Sequence, residues 1–205
     1  TYIGLVEIGV GLIPGGGGCK EYLLRQGDII KAKNSKFPLE YWWTQIPDGG
    51  PFGKTQNAFQ KIAFAAVATS AKEAQDMGIL RKTDKVSLLR DRVLYDAKQD
   101  VLDMAKSYDP GQPRDDISVA GRGGWMAIKS AITGFKAQGL VSDHDATVAL
   151  GLGRILTGGD LAGPKLVTEQ HILDLEREVF LSLCGMEKTQ ERMQYMLTKN
   201  KPLRN

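Results

Sequence analysis

The sequence predicts a mainly α-helical chain that opens on a short strand segment and a glycine-rich loop. Three observations carry this. Tyr2 to Val6 reads as the end of a strand and runs into a stretch closing on Pro14-Gly15-Gly16-Gly17-Gly18. Over 89–107, Leu89, Val93, Ala97, Val101, Met104 and Ala105 recur at helical spacing, the mark of an amphipathic helix. Beyond it, helices are expected over 124–139, 143–157, 168–184 and 187–199. Gly139, Gly158-Gly159 and Gly185 follow the first three, where a left-handed cap is wanted.

Between these landmarks, Cys19 to Arg25 reads as a short helix stopped near Gly27. The stretch 34–53 carries Pro38, Pro47, Pro51 and three glycines around Trp42 and Trp43, too many breakers for a regular element. It is a loop or an insertion, whose tryptophans pack on the body, line a pocket or meet a partner. From Thr55 to Ala68, Phe59, Ile62, Ala63, Ala66 and Val67 keep helical spacing. Ser70-Ala71-Lys72-Glu73 is a capping-box pattern opening a short helix that stops at Gly78, with Ile79-Leu80 extended after it. Pro110, Gly111 and Pro113 end the 89–107 helix and place a sub-region boundary at 108–117. Ser142-Asp143-His144-Asp145 and Thr168-Glu169 are helix-start signals.

A chain of 205 residues makes one domain, or one with an appendage. Hydrophobic residues at 42% and charged residues at 25% exclude wholesale disorder. No run approaches the roughly 18 apolar residues of a membrane helix, and the mean hydropathy is −0.24. The net charge of +3 is spread along the chain, which argues against a nucleic-acid binder. Cys19 and Cys184, with His144 and His171, assemble no metal-ligand spacing. Two free thiols in a reducing cytoplasm is a simpler reading than one long-range disulfide. The opening at Thr1, with no Met and no signal segment, is expected of a piece of a longer polypeptide.

The densest chemical signal is the stretch from Gly4 to Gly18. A P-loop fails because Cys19-Lys20-Glu21 stands where Gly-Lys-Ser/Thr is needed. A dinucleotide fingerprint fails because Gly9-Val10-Gly11-Leu12-Ile13 is followed by Pro14. What remains is a backbone site: glycines entering a helix offer amide N–H groups and the positive end of a dipole to a water, an anion or a developing oxyanion. A plain phosphate-binding protein would use the same loop. Glu7 is the one acid in the apolar run from Ile3 to Ile13. Either it is buried and tuned for acid–base work, or it points to solvent from a strand edge. His144 and His171 read as surface histidines in first helical turns. Cys184 reads as a buried inert thiol. Cys19 sits at a helix N-terminus, where thiols become more acidic, but no histidine lies near it to make it a nucleophile.

These residues resemble a family. Gly4-x-x-Glu7-x-x-x-Gly11-x-Ile13-Pro14-Gly15-x-Gly17-Gly18 is similar to a stretch of the crotonase (enoyl-CoA hydratase/isomerase) superfamily, and Ser70-Ala71-x-x-Ala74-x-x-x-Gly78-Ile79-Leu80 to its next landmark. Leu175 to Phe180, and Glu191-Arg192 through Met196-Leu197 to Lys201-Pro202, resemble its terminal helices. The variant resembled most is the C-terminal hydratase-like domain of bacterial fusions with 3-hydroxyacyl-CoA dehydrogenase. The likeness extends to Val119–Gly124, Thr157–Asp160 and the closing Lys201–Asn205, and covers the aromatic insert at 34–53 least.

The resemblance implies a fragment of an α/β crotonase-like fold. Residues 1–86 would hold the last strands and glycine-rich loop of its ββα superhelix, and 87–205 a helical region for oligomer contacts or for covering the CoA site. It implies addition of water to a trans-2-enoyl-CoA, giving the 3-hydroxyacyl-CoA. Glu7 matches the glutamate given the general-acid role, and Gly15 the glycine whose N–H helps hold the water, with Gly16 beside it at the substrate. Lys199 matches a basic residue near the CoA phosphates, although a solvated helix-end lysine needs no such role, and Lys201 has the same standing. Val6 departs from the proline usual before this glutamate. The other glutamate and both oxyanion donors would precede Thr1, so the isolated chain is expected to be inactive. Acyl-CoA is then the substrate, no cofactor is held here, and NAD belongs to a dehydrogenase part elsewhere in the parent. Expected partners are upstream domains of the same polypeptide and a second copy, since strands cut from a sheet leave open edges. The alternative is a non-catalytic helical module for oligomerisation or docking.

Overall fold

A computed structural model describes residues 2–34 and 52–205. Trp42, Trp43 and nearly all of the insertion lie outside the described residues. The order is β1 (Ile3–Gly4), a 3-10 turn (Glu7–Val10), α1 (Gly18–Asn34), α2 (Gly53–Ala63), β2 (Val67–Ala68) and α3 (Ala71–Asp76). There follow α4 (Val93–Met104, between 3-10 turns Arg90–Arg92 and Ala105–Ser107), β3 (Ile117–Val119), α5 (Gly121–Ala137), α6 (Asp143–Leu156), β4 (Lys165–Val167), α7 (Glu169–Cys184) and α8 (Glu187–Lys199). The strands form two antiparallel ribbons, β1 with β2 (Ile3 opposite Ala68) and β3 with β4 (Ile117 opposite Val167). Leu23, Ile62, Ile128, Leu152, Ile155, Ile172 and Leu175 belong to one core drawn from α1, α2, α5, α6 and α7. Among the described residues no helix is long and apolar enough to cross a membrane.

The first half departs from expectation where tertiary contacts outweigh local signals. The strand closes at Gly4, and residues 7–10 turn instead. The helix after the glycines does not stop at Gly27 but runs to Asn34. A mid-helix glycine costs about 1 kcal/mol, and the burial of Tyr22, Leu23 and Gln26 on α1, packed beside Ala58, Phe59 and Ile62 on α2, offsets it. Helix α2 ends early at Ala63 because Ala65 turns left-handed (φ 49), sending Val67 and Ala68 back to pair with β1. Ser70 caps α3 through its hydroxyl, which accepts from the Glu73 amide, and Gly78 ends that turn at φ 76. Ile79 and Leu80 form a bend rather than an extended piece, both amides donating to the Ala74 carbonyl.

Helix α4 forms as its spacing predicts, yet its stripe meets no core. None of its residues is buried, and Leu94 is 82% exposed. Local pairs of Arg92 with Asp96 and Lys85 with Asp100 hold it.

In the second half the local signals are obeyed. Ser142 and Asp145 exchange the two hydrogen bonds of a capping box at the start of α6, and the Thr168 hydroxyl caps α7 by accepting from the His171 amide. Gly139, Gly158 and Gly159 take left-handed backbone (φ 69, 88 and 82). Gly185 does not, at φ −75, because the chain passes through an extended Met186 into α8. Helix α5 begins at Gly121, earlier than expected, with that residue's amide donating to the Thr157 carbonyl at 2.9 Å.

Candidate active site

The glycine loop is clamped by a residue far away in sequence. The Gly17 amide donates to Glu176 Oε2 at 2.8 Å and the Lys20 amide to Oε1 at 2.6 Å. Glu176 is 1% exposed. The positive end of α1 therefore holds an internal carboxylate, where open donors for an external anion were expected. Burial raises the Glu176 pKa, while the amides of Lys20, Gly17 and Cys19 and the charge of Lys20 act against it. A Cβ on Gly15 would come within 2.6 Å of the Phe180 ring, so α7 lies directly on the loop, while Gly16 faces open space. Glu176 was missed in the sequence although a signal was present: it falls on the stripe of Ile172, Leu175, Val179 and Leu183 that buries α7.

Cys19 is buried and donates to the Pro14 carbonyl at 3.6 Å. Burial, then the negative charges of Glu176 and Glu7, push its thiol well above the ordinary range. This reverses the expectation of an acidic thiol. Both cysteines are free, and Cys184 is half-buried.

Glu7 opens the 3-10 turn rather than a strand edge. Its Oε2 is buried and accepts no hydrogen bond among the described residues, which makes it an outlier, since buried polar atoms are nearly always paired. The turn is pinned from behind by Gly11, at φ 78, whose carbonyl accepts from the Thr189 hydroxyl at 3.0 Å. That hydroxyl lies 2.8 Å from His144 Nε2. With its hydrogen given to Gly11, the hydroxyl accepts, so His144 is held with its proton on Nε2. His144 is thus a 4%-exposed structural residue and not a surface one. Burial, then Arg192 and Lys188, lower its pKa. His171 is half-buried, with Nε2 at 2.9 Å from the Gly158 carbonyl.

Next along α8, Arg192 is 2% exposed and donates to Asp145 Oδ1 at 2.7 Å, to Ser142 Oγ at 3.3 Å and to Asn205 Oδ1 at 2.8 Å. Burial works to raise the Asp145 pKa, but the Ser142 amide and Arg192 outweigh it and hold the carboxyl below its usual range. Lys199 stands exposed on the last turn of α8, about two helical turns beyond Arg192. The fold gathers Glu7, Cys19, Glu176 and the glycine loop, and no hydrogen bond or ion pair among the described residues joins Lys199 to them. No grouping of three or more His, Cys, Asp or Glu among the described residues could hold a metal.

Comparison with known proteins supplies one reference point. The chain is 41% identical over 211 aligned positions to a protein of Bacillus subtilis (strain 168) described as a probable 3-hydroxyacyl-CoA dehydrogenase. The whole chain is similar to part of that protein. The match covers 100% of this chain and 24% of the relative, so the chain spans about a quarter of the relative's length. No protein-family model and no solved structure matches the chain.

Proposed function

We propose that the chain is the C-terminal part of a crotonase-like enoyl-CoA hydratase domain, within a polypeptide that also oxidises 3-hydroxyacyl-CoA. The observation that carries this is the buried, unpartnered Oε2 of Glu7, a carboxyl oxygen set on a pinned turn beside a glycine loop. In this reading the second glutamate of the pair takes a proton from water as its oxygen bonds to the β carbon of a trans-2-enoyl-CoA and the α,β π bond breaks, and Glu7 delivers a proton to the α carbon. Gly16, which faces open space, stands at the substrate, Gly15, packed against Phe180, offers the water only its backbone N–H, and Lys199 faces the coenzyme phosphates. The second glutamate and the oxyanion donors lie outside this chain, so the isolated chain does not turn over.

The relative's name supports the reading through chemistry. Hydration of an enoyl thioester makes a 3-hydroxyacyl thioester, the substrate that a 3-hydroxyacyl-CoA dehydrogenase consumes. NAD then belongs to the rest of the polypeptide, and a reducing cytoplasm suits two free thiols.

The test is crotonyl-CoA hydration, followed by loss of ultraviolet absorbance, on the full polypeptide and its Glu7→Gln variant. The variant should lose about 100-fold or more in rate while oxidation of 3-hydroxybutyryl-CoA is unchanged. Hydration indifferent to Glu7→Gln would sink the role of Glu7. Absence of hydration from the full polypeptide would favour the second reading, a non-catalytic oligomerisation or docking module, which the exposed stripe of α4 supports.

A further inference from the structure

The 3-10 turn that carries Glu7 has little of its own to hold it. All four of its residues are half-buried, and no side chain caps its start. Hydrogen-bond geometry within a 3-10 turn is poor, so the aim of the Glu7 carboxyl has to be fixed from outside. The fixing point is one peptide group, between Gly11 and Leu12. Its N–H, on Leu12, donates to the main-chain carbonyl of Glu7 at 3.1 Å. Its C=O, on Gly11, accepts from the Thr189 hydroxyl at 3.0 Å. A peptide group is a rigid plane. Thr189 and the backbone of Glu7 therefore grip opposite edges of a single plate.

Thr189 is itself held firmly. It lies in the first turn of α8 with 0% exposure, and His144 Nε2 stands 2.8 Å from its oxygen. The hydroxyl has one hydrogen, given to Gly11, and takes one from His144 in return. Gly11 rests directly on this pair: a Cβ there would lie 3.1 Å from both His144 Nε2 and Thr189 Oγ. Arg192 ties α8 to the start of α6 separately, by donating to Asp145 and Ser142. That second tie does not pass through Thr189.

We propose that Thr189 is a positioning residue for Glu7, acting through the Gly11–Leu12 peptide group, with His144 keeping its hydroxyl in line. The inference rests on the reading of Glu7 as the proton donor. Without the hydroxyl the Gly11 carbonyl is free to tilt, and the Leu12 amide tilts with it. The carboxyl that must reach the α carbon then loses its aim. Misplacing a reacting group by about 1 Å costs on the order of 100-fold in rate. Binding of the thioester, which a fully buried Thr189 cannot touch, is unaffected.

The experiment measures crotonyl-CoA hydration by the full polypeptide with Thr189→Ser, Thr189→Cys and Thr189→Val, each alone and combined with Glu7→Gln. The donor weakens in that order and is absent from valine. The kcat should follow it, near wild type for serine, intermediate for cysteine and about 10- to 100-fold lower for valine. KM should stay unchanged, as for an interaction used only in the transition state. Serine and cysteine lack the same methyl group, so their difference reports the hydrogen bond even if the valine variant fails to fold. In the Glu7→Gln background, replacing Thr189 should cost little more, because the carboxyl it aims is gone. Hydrogen exchange at the Leu12 amide should quicken from serine to valine while α8 stays protected. Equal rates for the three variants, a change in KM instead of kcat, or a full further loss on top of Glu7→Gln overturns the proposal and leaves the reading of Glu7 standing. Hydration that is absent, or indifferent to Glu7→Gln, sinks that reading and this inference with it.

Discussion

The amide of Lys20 donates to the carboxylate of Glu176 across 156 positions of sequence, at 2.6 Å. Helix α7 thereby closes the open end of α1 and takes the place of any external anion there. Glu176→Gln keeps the shape but turns an NH2 toward donors, and should cost about 1–3 kcal/mol. The folded pKa of Glu176 is raised, so its contribution to stability is complete below the unfolded value of about 4.5 and is lost as pH rises through the folded one. The gap between wild type and Glu176→Gln in urea midpoint should therefore be widest near pH 4 and narrow upward.

Arg192 is buried and its partner Asp145 half-buried, and removing Arg192 strands the carboxylate. Arg192→Leu should lose about 1–3 kcal/mol, of which Arg192→Leu with Asp145→Asn regains part. Asp145 is depressed below its ordinary value of 3.8, so its contribution is present above that pH and lost as pH falls through the lower, folded value. Acid unfolding curves of the single variant should lack that limb.

His144 is also depressed, with burial as the leading cause, so its contribution is present above the ordinary 6.5 and lost as pH falls through the folded value. His144→Gln can still hydrogen-bond Thr189 but cannot titrate. Thermal melts between pH 7 and 5 should show a loss of stability in wild type that the variant lacks.

Two glycines on α5 should respond oppositely to alanine. Gly121 sits at φ 58, and a Cβ there would overlap the Gly163 carbonyl oxygen. Gly121→Ala should cost about 3 kcal/mol or more by combining strain with a steric clash. Gly134 lies mid-helix with open space where a Cβ would stand, and Gly134→Ala should add about 0.5–1 kcal/mol. Denaturant midpoints of the two variants should fall on either side of the wild type.

Features specified within a few residues were legible from the amino acids alone. The Ser142 and Thr168 caps, the left-handed turns at Gly139 and Gly158-Gly159, and the helical periods of α4 to α8 each depend on neighbours within one or two turns. Glu7 and Gly15 also stood out locally, one as an acid in an apolar run, the other in a glycine cluster. What the spacing could not state is where each face goes. The α4 stripe has the pattern of a core helix and meets no core here, while α1 continues through Gly27 because α2 packs beside it. Glu176 reads as an ordinary helix acid until Gly17 and Lys20 arrive from more than 150 positions away. His144 reads as a surface residue until Thr189 arrives from 45 positions away. Backbone preference is a short-range energy written in adjacent side chains. Burial and buried-polar pairing are settled between segments that meet when the chain folds, and no local pattern names the partner.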